Sequence, residues 1–375
     1  MTNHGLPTHD TLVRFSNREQ AAFFSTLRKR VDGYFKENNI SRHADARMVT
    51  KTVVMVLAHI VPFIALIVFD IPFWGQMGIW ALMGFSLAGN GMSVMHDANH
   101  GAYSANPKWN KWIGWNVNML GGTVHNWNLQ HNILHHTYTN IAGKDNDIDG
   151  AFSMRFDPHQ EYHKFHKHQW YYAFLFYSIL TLYWGLAKDF VQFNKYNKEG
   201  LNRQTPQQKR VTLMKIIGIK VVYFSLLFGL PIIVGGIPAS WVIGGFLVMH
   251  FFGGLILSLV FQLAHVVEGP EFPLPKANGE MENSWAVHQL QTTANFSYGS
   301  KFINWYVGGL NHQIEHHLFP GICHVHYNAI APIVKETARE FGHPYYEHKT
   351  FREAVVSHVK MLKKFGTPPL DEIMG

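Results

Sequence analysis

Residues 73–100 read FWGQMGIWALMGFSLAGNGMSVMHDANH, an apolar run from Phe73 to Met95 with no charged residue, followed by two histidines four places apart. A helix needs about 20 such residues to cross some 30 Å of hydrocarbon, so the stretch predicts a membrane span that delivers His96 and His100 to one face of the bilayer. Three further segments pass the same length test, Val53–Phe69, Ile216–Val234 and Trp241–Leu263. The short connections, 70–72 and 235–240, contain no Lys or Arg, whereas the N-terminal, central and C-terminal regions hold all but Lys220. The positive-inside rule then puts both termini and the large polar remainder in the cytosol. The expected fold is an all-α, multi-pass integral membrane protein: four transmembrane helices in two hairpins with a cytosolic helical cap. Its divisions are a cytosolic segment 1–50, a membrane domain 51–320 with spans at about 53–69, 73–95, 216–234 and 241–263, and a cytosolic segment 321–375.

A fifth apolar stretch, 170–186, is crowded with Trp170, Tyr171, Tyr172, Tyr177, Tyr183 and Trp184 and flanked by Lys164, Lys167 and Lys188. These are the marks of a helix lying in the interface. A span here would also put the histidine motifs before and after it on opposite sides of the membrane.

Composition narrows the chemistry. Cys323 is the one cysteine among 375 residues, which excludes intrachain disulfides and cysteine-built zinc or iron–sulfur sites, while 25 histidines supply an unusual excess of imidazole. The net charge of +7 reads as a lipid-surface signal, because Arg28, Lys29, Arg30, Arg47 and Lys51 lie near the start of an apolar segment. No nucleic-acid, phosphate-loop or dinucleotide motif is evident, and the polar N-terminus is unlike a secretory signal peptide.

Four groups of histidines fall on the expected cytosolic side: HDANH at 96–100, HNILHH at 131–136, His265 at the end of the last span, and QIEHH at 313–317. Imidazoles at i and i+4 share a helix face, and the neighbouring His136 points about 100° round the helix. His96, His100, His131, His135, His136, His265, His316 and His317 are too many for one ion of coordination number four to six and suit two. Gln313 is a weak or water-mediated further candidate, and His312 a reserve ligand. Any single pair is more often a packed or solvated pair than a metal site; the combination on one membrane side is what carries the assignment. Asp97, Asp145, Asp147, Asp149 and Glu315 could accept the second N–H of a ligating imidazole. His125, His288, His324 and His326 are candidates for supporting roles. His59 and His250, inside spans, suit structural hydrogen bonds as well as catalysis, and His159, His163, His166 and His168 read as surface residues.

With HDANH, HNILHH and QIEHH in this order, the chain resembles the membrane fatty acid desaturases from about Lys51 to Phe319, and most closely the front-end branch, in which the third box begins with glutamine. The resemblance implies that His96, His100, His131, His135, His136, His316 and His317 hold two iron ions, with His265 as an extra ligand, and that O2 is the co-substrate for making a cis double bond in an acyl chain carried on CoA, a lipid or a carrier protein. Many front-end members carry a fused cytochrome b5 domain with a His-Pro-Gly-Gly motif, which is absent here. An external donor, a ferredoxin, cytochrome b5 or a reductase, is therefore expected, in a bacterial inner membrane or the endoplasmic reticulum. Ligand type alone would also accept zinc or another first-row metal. The alternatives are a membrane di-iron hydroxylase of lipids or alkanes and a non-enzymatic four-span transporter or metal-binding protein.

Overall fold

The computed structural model describes residues 13–148 and 153–368. They are largely helical, with one short parallel pair of strands, Ala294–Phe296 against Tyr346–His348. They form two compact units: the described residues of Met1–His43, Gln130–Ala173 and Val260–Gly375, and those of Ala44–Leu129 and Phe174–Leu259.

In the second unit, three helices are long and apolar enough to cross a membrane, Ala46–Val68, Pro206–Val234 and Ala239–His265, the last running on into the first unit. Asp45 starts the first by accepting hydrogen bonds from the backbone N–H groups of Arg47 and Met48. Their outer faces carry exposed Val53, Leu57, Ile64, Val222, Leu226 and Leu247, the pattern expected where hydrocarbon replaces water as the surrounding medium. The stretch expected to be the second span is helical from Phe73 to Asn99 but not uniformly α. Its α-helical part, Phe73–Gly89, is 17 residues long and widens into a π turn at Asn90–Val94. Asn90 explains the widening: its buried amide donates to Met55 O (2.9 Å) and Ser86 O (3.0 Å), inserting a side chain into the helical ladder. Gly84 lets this helix approach the Ala239–His265 helix closely, since a Cβ there would lie 2.4 Å from Met249 O.

The aromatic stretch forms an α-helix, Gln169–Tyr183, continued by a π turn, Trp184–Lys188. Tyr171, Leu175, Ile179 and Leu186 are exposed, while Tyr177 and Trp184 are buried. The histidines within the long apolar helices are hydrogen-bonded to neighbouring helices: His59 Nδ1 to Ser86 Oγ (3.0 Å), and His250 to Tyr223 OH (2.8 Å) and Thr181 Oγ1 (3.0 Å).

In the first unit, the N-terminal helix Ala21–Glu37 buries Phe23, Leu27, Val31 and Phe35, every fourth residue, along one face. They share a core with Ile314, Leu318, Ile330 and Val334, so the helix bearing the third histidine group is clamped from its apolar side. Of the four histidines expected at the surface between 159 and 168, His166 is instead buried; its Nδ1 accepts from His163 N (3.1 Å) and caps a short 3-10 helix.

Candidate metal centre

The HNILHH stretch sits on a π-helix, Asn128–His135, that passes into a short α turn. The wider i→i+5 turn brings both the fourth and the fifth following residue back beneath the first. His131 therefore stacks on His135 (ring centroids 5.2 Å apart) and also meets His136 (4.9 Å). His136 thus lies round the helix from His135, as its neighbouring position implies, yet still within reach of His131.

His265, the last residue of the Ala239–His265 helix, and the Gln313–Leu318 helix bring in the rest. His135, His265 and His317 make a nearly equilateral triangle, with ring centroids 4.8, 4.9 and 5.0 Å apart, and one ring nitrogen of each lies within 4.8 Å of the others. His136 packs between His316 (4.6 Å) and His317 (4.5 Å), and His131 stacks over His316 (6.0 Å). His131, His135 and Asp147 form a second group with metal-ligand spacing. In the other unit His96 and His100 pack with ring centroids 4.7 Å apart, each edge-on to Trp127.

Hydrogen bonding fixes which nitrogen each ring presents. His135 Nδ1–H donates to the Asp145 carboxylate (3.1 Å), His317 Nδ1–H to Gln289 Oε1 (2.8 Å) and His265 Nδ1–H to the Thr292 carbonyl (3.1 Å). All three acceptors lack a proton to give, so the tautomer follows. The three Nε2 atoms are buried and have no hydrogen-bond partner among the described residues. Three converging buried ring nitrogens without a hydrogen-bond partner are costly unless a cation, a metal ion or a proton, takes their lone pairs. His131 Nδ1 lies 3.4 Å from Asp147, and His316 Nδ1 3.2 Å from Tyr327 OH. The donor set, imidazole with carboxylates behind it and no thiolate, fits a first-row transition metal.

Asp145 is held in turn by the backbone N–H groups of Asn140 and Asp147, both at 2.9 Å, and Gln130 donates to Asp147. Burial pushes the His135 imidazole down, but the Asp145 and Asp147 carboxylates outweigh it and raise it to about 9, so a metal must displace a proton there. Burial, joined by the neighbouring imidazoles His136, His135, His265 and His131, holds His317 well below its ordinary value.

Among the carboxylates singled out from sequence, Asp145 and Asp147 orient imidazoles as expected; Asp149 lies outside the described residues. Glu315 does not: Tyr345 OH (2.7 Å) and Asn295 (2.8 Å) donate to it. The reserve ligand His312 is buried 3.7 Å from Glu315 and joins none of the metal-spaced groups among the described residues, and Gln313 beside it is buried. His288 has a supporting role through Thr139 O (2.8 Å), and His326 contacts His43 O (3.1 Å). Gln289, Thr292, Tyr327 and Asn140 were not legible as supports, since no spacing marks them.

The sequence profile of the fatty acid desaturase family matches residues 72–349. The chain belongs to the fatty acid desaturase family. It is similar to the sn-1 linoleoyl-lipid 6-desaturase of Synechocystis, 35% identical over 362 residues that cover 95% of this chain and 99% of that one, and to the protein of the same name from Arthrospira platensis, 36% identical with 92% and 93% covered. The acyl-lipid (8-3)-desaturase of Physcomitrium patens is 32% identical, with 94% of this chain and 74% of that one covered. This desaturase is thus an oxidoreductase acting on fatty acyl chains, which decides against the hydroxylase and transporter readings.

Proposed function

We propose that this desaturase introduces a cis double bond into an acyl chain carried on a membrane lipid, using O2, electrons from a separate ferredoxin, cytochrome b5 or reductase, and two iron ions. The proposed ligands are His96, His100, His131, His135, His136, His265, His316 and His317, with Gln313 nearby and uncommitted to either ion. The observation that carries the reading is the His135–His265–His317 triangle, whose Nδ1 atoms are all engaged and whose Nε2 atoms are all left for a ligand. The names of the similar cyanobacterial and plant proteins support a lipid-linked substrate.

An unactivated methylene C–H has no acidic proton or leaving group, so side chains alone cannot break it; iron bound at these histidines would supply the redox chemistry with O2. The overall change is –CH2–CH2– + O2 + two electrons + two protons giving –CH=CH– + two waters. The protein's own task is to hold the imidazoles in one tautomer and to present one C–C bond. A cavity of about 1000 Å³ within the Ala44–Leu129 and Phe174–Leu259 unit suits the chain. Phe63, Ile216, Tyr223 and Leu227 give it apolar walls, and Lys111 and Lys215 also line it.

The proposed topology has four spans, the three long helices and the helical stretch 73–95, with the Gln169–Tyr183 helix at the interface and the termini and metal centre in the cytosol. The distribution of Lys and Arg supports it. The test is expression in a host with a simple fatty-acid profile, comparing wild type with His135→Ala by mass spectrometry of fatty acid methyl esters. A product lacking two hydrogens, absent from the variant, is expected; a product gaining one oxygen would refute the proposal.

A further inference from the structure

Lys220 sits inside the Pro206–Val234 membrane helix, where an ammonium group is expensive and calls for partners. It does not reach for the surface: it is 5% exposed, and its Nζ donates to Gly121 O (2.5 Å) and Trp184 O (2.7 Å) and pairs with Asp189 Oδ2 (3.0 Å). Asp189 is fully buried, and its other oxygen accepts from Thr123 Oγ1 (2.9 Å) and Asn126 Nδ2 (3.1 Å), while Asn126 also donates to Asp189 O (2.8 Å). One ion pair and its hydrogen bonds thus tie three pieces of chain: the membrane helix, the Trp184–Lys188 π turn with Asp189 at the start of the helix after it, and residues 121–126.

The third piece is the informative one. Gly121 has φ +75°, and a Cβ there would lie 2.8 Å from Gly185 Cα, so the backbones cross at contact distance. Thr123, Val124 and His125 line the cavity described above, as does Tyr223, one helical turn beyond Lys220. From Val124 the chain runs without a break through helix into His131, His135 and His136. The segment held by the ion pair is therefore both a wall of the cavity and the lead-in to the second histidine group.

Resting on the acyl-desaturase reading above, we propose that the Lys220–Asp189 pair is a positioning device that fixes the 121–126 segment and with it the carbon at which the double bond is placed. A purely structural tie would change how much active protein accumulates, not which bond reacts. Position is read as a ratio within the product, which is independent of protein amount.

The experiment compares wild type, Lys220→Met and Thr123→Val by mass spectrometry of derivatised fatty acid methyl esters. Thr123→Val keeps the shape of the cavity wall and removes only the hydroxyl given to Asp189. Positional isomers present as traces in wild type should rise about tenfold in Lys220→Met, and less but in the same direction in Thr123→Val. Should Lys220→Met not accumulate, Thr123→Val decides alone. Product that keeps the wild-type position, merely in smaller quantity, overturns the proposal. A wild-type protein that makes no unsaturated product overturns the desaturase reading itself, a result distinguishable from unchanged isomer ratios.

Discussion

Replacing Gln289 with leucine should weaken metal binding without touching a ligand. Gln289 Oε1 accepts from His317 Nδ1 (2.8 Å) and from Thr139 Oγ1 (2.9 Å), while its own amide nitrogen has no partner among the described residues. Leucine, of similar volume, therefore removes an acceptor and little else. Thr139 still donates to His135 O (2.7 Å), and its Oγ1, 3.3 Å from His317 Nδ1, is left as a longer and weaker acceptor for that N–H. A buried donor left unpaired costs about 1–3 kcal/mol, and the ring can escape by moving its proton to Nε2, the nitrogen a metal needs. Loss of such supporting bonds typically lowers metal affinity or activity about 10–100-fold, or roughly 1.4–2.8 kcal/mol, which agrees with that cost. The assay is metal content by mass spectrometry after dialysis of detergent-purified protein against graded chelator, with desaturation measured on the same samples. Gln289→Glu, which keeps an acceptor, should hold metal like wild type. A leucine variant that retains metal and activity at wild-type chelator concentrations would refute the argument that Gln289 sets the His317 tautomer.

Chelator treatment of the wild type should lower its apparent melting temperature as well as abolish activity, because a ligand bound only by the folded state stabilises it; scanning fluorimetry before and after metal removal reads this. Asn140→Ala should destabilise by about 2–4 kcal/mol: Asn140 has φ 57° and its amide is shared among the carbonyls of His265, Glu271 and Thr292 at 3.1–3.3 Å, and thermal unfolding in detergent measures the loss. Burial lowers His288 and His358 from 6.5 to about 4. The unfolded chain then binds more protons between those values, so stability is present above pH 6.5 and lost on acidification towards 4, by about 2 kcal/mol for each histidine between pH 7 and 5. Melting temperatures that stay level over that range would contradict their burial as neutral rings.

Much of the site was visible in sequence because metal ligation demands particular side chains at short helical spacings. HDANH, HNILHH and QIEHH announce themselves, and His265 follows from the end of an apolar run. The π geometry of residues 128–135 was not visible, since i, i+4 patterning is the same in sequence whether the turn is α or π, and that geometry is what gathers His136 with His131. Likewise the apolar run 73–95 gave a helix but not its interruption, which depends on Asn90 finding Met55 O on a different helix. The hydrogen-bonding supports were hidden for a related reason: Thr292 acts through its backbone carbonyl, which any residue supplies, and Gln289 is one polar residue in a polar stretch. Lys220 and Asp189, more than thirty residues apart in sequence, gave no local pattern at all.

The histidine triangle also sets an order of events in biosynthesis. His135, His265 and His317 come from segments spread along the chain, with 182 residues separating the first from the last. At about 5–20 residues per second, roughly 10–40 s pass between synthesis of His135 and of His317. Through that interval the early imidazoles are in place with no third corner to close the triangle. Metal capture at the proposed centre is consequently a late step, completed on a chain whose apolar helices have already left the ribosome, and metal starvation would leave behind full-length protein awaiting its metal rather than truncated fragments.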